Sequence, residues 1–155
     1  MNGNPGRGLD ARSLEVLEAI VERLIPTDDA GPGAREAQVS RYIQRALATE
    51  YVSLLETYEA ALAAVDAHAQ AAHGRGFSAL DAEQQDAVLG DLEAQRVPGA
   101  PPACFDLIRQ HAMEGMFGDP RWGGNANHIG WQLIGYPGPK AVWTAEEQQL
   151  DVPPL

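Results

Sequence analysis

Between Tyr51 and Ala72 the chain holds no glycine and no proline, and eight alanines fall between Ala60 and Ala72. A stretch of that length without a breaker, rich in the best helix former, leaves little choice but a long α-helix. Val52, Leu55, Tyr58, Leu62 and Val65 recur at three- and four-residue intervals and mark the face it buries. The helix is expected over residues 51–72, roughly 33 Å long at 1.5 Å per residue. A single helix cannot hide that face, so its neighbours must supply the rest of the core.

They show the same period. Leu14, Leu17, Val21 and Leu24 form a stripe that Pro26 closes, predicting a helix over 10–25. After the turn-forming TDDAGPGA, residues 27–34, the set Val39, Tyr42, Ile43, Ala46 and Leu47 predicts a second helix over 34–48. Asp81 followed by Gln84 has the spacing of a capping box and opens a helix through Val88, Leu89 and Leu92, which RVPGAPP ends. A fifth helix is expected over 103–117, burying Phe105, Ile108, Ala112 and Met116. Thr144 and Glu147 read as a capping box for a last short helix. With no strand signal of length, the fold class is all-α: an irregular bundle of about five helices with a long Gly/aromatic-rich C-terminal segment. At 155 residues one domain is expected, with 1–9 flexible, 10–117 the bundle and 118–155 a docking loop and tail.

Composition removes several function classes. Lys and Arg number 11 against 22 Asp and Glu, a net charge of -11, so phosphate backbones and anionic lipid surfaces are repelled. The single cysteine, Cys104, allows no internal disulfide and no thiolate cluster, and is read as a small core residue. No apolar run approaches the ~20 residues of a membrane span, and MNGNPGRGLDAR carries neither an apolar leader nor paired arginines. A cytoplasmic location is expected, with a periplasmic one as the alternative if an export signal has been removed.

No Ser-His-Asp order, HExxH, GxGxxG or P-loop pattern occurs. His68 and His73 are five residues apart and do not share a helix face. His111 lies two turns beyond Cys104, too far for a thiolate–imidazole pair. Asp28, Asp29 and Asp119 are loop carboxylates whose spacing fits no EF-hand, so they read as turn residues. No catalytic, cofactor-binding or metal-ligating residue is assigned to this chain.

What remains is the segment from Glu114 to Pro139, which holds 7 of the 16 glycines and 2 of the 3 tryptophans in 26 residues. Such a density of glycine among large aromatics is costly as mere spacer. Trp131, Leu133 and Ile134 are candidates to plug the core. Gly123 and Gly124 would let the backbone approach another surface, and Asn125 and Asn127 could cap a short helix starting near Ala126. Trp122, Trp131, Tyr136 and Trp143 are more aromatics than one edge of a bundle needs, and Trp and Tyr anchor protein interfaces. The segment reads as half core plug and half docking surface.

Four stretches, EGMFGDPRWGGN (114–125), GWQLIGYPGP (130–139), RLIPTDDAGPGA (23–34) and FSALDAEQQDAVL (77–89), together resemble the gluconate 2-dehydrogenase subunit 3 family. Its members are the small or gamma subunits of flavin-dependent sugar and sugar-acid dehydrogenases. The resemblance implies a non-catalytic, chaperone-like subunit without flavin, bound to a large FAD-containing oxidoreductase subunit of GMC type. It leaves open a cytochrome c subunit, and it implies partner contacts at Trp122, Gly123, Gly124, Asn125, Trp131 and Tyr136. Phe117, Asp119 and Trp143 join that set as neighbours. His128 stands where family members often carry an apolar residue, and reads either as a partly exposed loop histidine or as a group that could reach the partner's substrate entrance. Two other classes stay open: a free-standing enzyme using His111 or His128 with Asp119, and a self-associating helical protein.

Overall fold

The computed structural model describes residues 8–139. Six α-helices follow in order: α1 (Ala11–Leu24), α2 (Val39–Ala48), α3 (Leu55–His73), α4 (Ala82–Glu93), α5 (Cys104–Phe117) and the short α6 (Ile129–Leu133). Four 3-10 turns join them, and among the described residues the only β pairing is an isolated bridge, Asp28 with Gly31. The all-α class expected from periodicity is observed.

Helix ends follow local chemistry. Asp10 accepts from the Ser13 backbone N–H and starts α1. The Asp81–Gln84 capping box forms in both directions at α4. Gly74, left-handed at φ 72°, ends α3. Two boundaries differ from expectation. Ala34 to Gln38 form turns, because Gln38 is left-handed at φ 56° and an α-helix cannot run through such a residue; α2 therefore begins at Val39. Val52–Leu54 tighten into a 3-10 turn, so α3 has 19 residues and is about 28 Å long.

α1 lies against α2, α3, α4 and α5, and the most extensive helix pair is α2 with α5. That pair can close because Gly115 faces Val39 and Tyr42: a Cβ there would sit 2.9 Å from the Tyr42 ring. Leu17, Ile20, Ile43, Tyr58, Leu62, Phe77, Ile108 and Met116 are completely enclosed in one continuous core. Leu9 joins it, its backbone held by a two-way hydrogen-bond pair with the Gln44 amide. The expected last helix at Thr144–Glu147, and Trp143, lie outside the described residues.

Candidate docking surface

The Gly/aromatic segment is built on the C-terminal end of α5. Gly118 closes α5, and the Asp119 carboxylate then accepts from the Arg121 N–H to start the turn Pro120–Trp122. Gly123, at φ 101°, reverses the chain. From there the backbone lies directly on α5. A Cβ at Gly124 would stand 2.2 Å from the Gly115 carbonyl oxygen, and one at Gly130 only 1.8 Å from that of Met116. These glycines thus serve close approach to the chain's own helix, in place of the approach to another surface expected for Gly124.

Asn125 is the tie. Fully buried and left-handed at φ 45°, it donates from Nδ2 to the Gly118 carbonyl at 2.8 Å and accepts at Oδ1 from the Gly130 N–H at 2.8 Å. It caps nothing at Ala126: its acceptor serves the first turn of α6 instead, and Asn127, at φ 55°, answers a need for left-handed backbone that asparagine tolerates best. The burial of Gly124 and Asn125 makes them the interior of the loop, so in this chain their side of the backbone is not exposed as expected for partner contacts. Trp131 is likewise interior, donating from Nε1 to the Phe117 carbonyl at 2.7 Å, while Phe117 is half-buried against the core.

The same anchoring turns other side chains outward. Leu133 and Ile134, candidate core plugs in the sequence, are 43% and 59% exposed, because α6 is only five residues long and spends its inward face on Gly130 and Trp131. Trp122 is 41% and Tyr136 45% exposed. Four of the five large exposed hydrophobic residues among those described thus lie within 122–136, the fifth being Met113. Exposed apolar side chains gathered on one segment make it the candidate contact surface of the described residues. His128 leans on Trp131 with ring centroids 5.3 Å apart, Tyr136 meets it edge-on at 5.1 Å, and with Gln132 and Pro137 they wall a shallow cleft.

Under Trp122 lies a polar cluster that the residue spacing did not reveal. Tyr42 and Tyr51 both donate to Glu114, at 2.9 and 3.0 Å, and Gln110 donates to its other oxygen. Burial raises the Glu114 carboxyl, but these donors outweigh it and hold the group below the ordinary carboxylate range. His111 is stacked parallel to Tyr51 at 4.4 Å, and its Nδ1 is 2.8 Å from the Tyr58 hydroxyl. Burial lowers the His111 pKa, with Glu114 opposing. The available signal was the i, i+3 spacing of His111 and Glu114 on α5; the tyrosines that complete the cluster come from α2 (Tyr42), the turn before Val52–Leu54 (Tyr51) and α3 (Tyr58).

A pH dependence follows. His111 and Glu114 are both lowered in the folded chain, so the unfolded chain binds more protons, and stability falls as pH falls. The histidine contribution is complete above the unfolded value near 6.5 and declines below it; the glutamate contribution declines below about 4.5. Urea unfolding at pH 7 and pH 5.5 is expected to show lower stability at the lower pH, with a shallower fall in His111→Gln. An equal fall in both proteins would exclude His111 as its source.

The other candidates are occupied locally. His68 is hydrogen-bonded to Asp91 at 3.0 Å, which also pairs with Arg96. Asp119 pairs with Arg121, and among the described residues no hydrogen bond joins it to His111 or His128. Cys104 is buried, and burial pushes its thiol up. Among the described residues no group of three or more His, Cys, Asp or Glu side chains gathers as a metal site requires.

A match to the family described as gluconate 2-dehydrogenase subunit 3 spans residues 11–138, from the first residue of α1 to the end of the loop packed on Trp131. The chain belongs to the gluconate 2-dehydrogenase subunit 3 family. No curated protein and no solved structure matches it. The gluconate 2-dehydrogenase subunit 3 match takes in all six described helices together with Trp122, the buried Asn125 tie and Tyr136, so bundle and surface are covered by one family. The family's name denotes a subunit of a dehydrogenase. No helix among the described residues is long and apolar enough to cross a membrane.

Proposed function

We propose that the chain is the non-catalytic small subunit of an FAD-dependent, GMC-type oxidoreductase acting on a sugar, glycoside or polyol hydroxyl. In this reading it binds the large catalytic subunit, stabilises it and assists its folding. The observation that carries the proposal is the exposed Trp122, Leu133, Ile134 and Tyr136 on a segment locked to α5, within a family of dehydrogenase subunits. A rigid loop that displays large apolar side chains is pre-organised for docking, since little ordering entropy remains to be lost on binding. In this reading the flavin is carried by the large subunit and not by this chain. Hydride from the substrate carbon would pass to flavin N5 there, so this chain acts by covering apolar surface of the flavoprotein and steadying loops at its substrate entrance, with His128 at the rim.

The test is co-expression with the flavoprotein encoded beside it, followed by affinity capture and an absorbance scan. A stoichiometric yellow complex is expected, with the large subunit insoluble or flavin-poor when made alone. A soluble, fully active flavoprotein without this chain would refute the reading. Trp122→Ala separates docking from folding, because its side chain is exposed while that of Trp131 is interior. It is expected to weaken the complex by about 2 kcal/mol, roughly 30-fold in Kd, with the melting temperature of the free chain unchanged.

A further inference from the structure

We propose that the exposed edge of α2, centred on Arg45 and Trp122, receives an acidic, carboxylate-bearing surface of the large subunit, a step that rests on the accessory-subunit reading above.

The arginines divide into two sets. Arg12, Arg23, Arg96, Arg109 and Arg121 each pair with a carboxylate: Asp66, Asp86, Asp91, Asp106 and Asp119. Among the described residues Arg35, Arg41 and Arg45 have no carboxylate within ion-pair distance, although the chain carries twice as many acidic as basic residues. Arg75 shares that condition, but sits beyond the end of α3 on Gln84. The other three adjoin. Arg41 and Arg45 are an i, i+4 pair on one face of α2, and Arg35 and Arg41 line a single cleft with Gln38, Ser40 and Glu18.

Next to them Arg45, Tyr42, Tyr51 and Trp122, with Ala46 and Glu50, line a cleft of about 170 Å³. The Arg45 and Arg121 guanidinium carbons stand 5.2 and 4.9 Å from the Trp122 ring centre. Stacking on an exposed indole presets a guanidinium without neutralising it, which leaves its fork of donors free for a carboxylate. Of the carboxylates nearby, Glu50 accepts from the Thr49 hydroxyl and feels the Arg45 charge without coming within ion-pair distance, and Glu114, held by two of the lining tyrosines, accepts from Tyr42, Tyr51 and Gln110.

Arginine, tryptophan and tyrosine are the residues in which interface hot spots are enriched, and here they meet on one edge. Charge complementarity then selects the occupant. A long polyanion would meet the field of a chain at -11, whereas a few carboxylates on a folded, partly apolar surface meet the arginines locally and lay apolar atoms on Trp122.

The experiment compares the full chain, Arg45→Glu and Arg75→Glu in complex with the flavoprotein; the two variants lose the same charge. Arg45→Glu is expected to raise Kd about 10-fold or more and to flatten its salt dependence, while Arg75→Glu stays within about 2-fold of the parent. In Arg45→Lys, a zero-length carbodiimide crosslink to an Asp or Glu of the large subunit is expected. Equal Kd values for Arg45→Glu and Arg75→Glu, or a crosslink from Arg45→Lys to a second copy of this chain, would overturn the proposal while the parent complex kept the accessory-subunit reading intact. Absence of a complex with the parent chain would overturn both.

Discussion

Gly130→Ala is expected to lift the Gly/aromatic segment off α5. The new Cβ would lie 1.8 Å from the Met116 carbonyl oxygen and 3.1 Å from the Phe117 ring, and a backbone oxygen inside α5 cannot rotate away as a side chain can. The overlap is relieved only if α6 moves outward, which draws the Gly130 N–H from Asn125 and the Trp131 indole from the Phe117 carbonyl. A cost of about 3 kcal/mol is expected, the upper end for an overpacked site. It should be local, because the enclosed core of α1 to α5 does not depend on Gly130. Amide exchange across 124–134 is therefore expected to rise on the order of 100-fold while α3 keeps its protection. Parental exchange rates in that loop would show that the contact with Met116 does not hold it down.

Asn125→Ala is expected to cost a similar amount for a different reason. The substitution strands the Gly118 carbonyl and the Gly130 N–H in a site where Asn125 itself is fully buried. Each unsatisfied buried group costs about 1–3 kcal/mol. Alanine also pays for the left-handed backbone at φ 45°, about 1 kcal/mol. Asn125→Gly removes the same hydrogen bonds and tolerates that backbone, so it should be less destabilising than Asn125→Ala by about that last amount. Chemical denaturation of the three proteins, with loop exchange as a second readout, measures both parts. Equal stability of Asn125→Ala and the parent would mean that the two hydrogen bonds do not tie the loop. Together with Gly130→Ala, this variant separates two ways of displaying Trp122: close backbone approach and side-chain bonding.

The period of apolar residues is a local property, and it was legible. Leu17 and Val21, Ile43 and Leu47, Leu62 and Val65, and Ile108 with Met116 are buried as their spacing requires. The Asp81–Gln84 box stands where those residue types predict. The start of α2 was missed because the left-handed Gln38 carries no residue-type signal. The character of residues 114–139 as a segment held in shape was legible from composition, since glycine and tryptophan in that density need a packing partner.

Which of its side chains face inward was not legible, because that depends on a distance between chain segments remote from each other in order. Leu133 and Ile134 are as apolar as any core residue, yet they turn outward once Gly130 sits against Met116; Asn125 is as polar as any surface residue, yet it is enclosed once two backbone groups need it. The Tyr42–Glu114–Tyr51 cluster and the Arg45–Trp122 pair likewise join residues up to 77 positions apart, brought together by the packing of α2 on α5 and the fold of the loop across it. Sequence determined the helices, their buried faces and the family, because helix period and motif spacing are written within a few turns of chain. Tertiary structure alone decided which side chains of the segment stay exposed, because exposure is settled by what lies across the gap, and no local pattern encodes that.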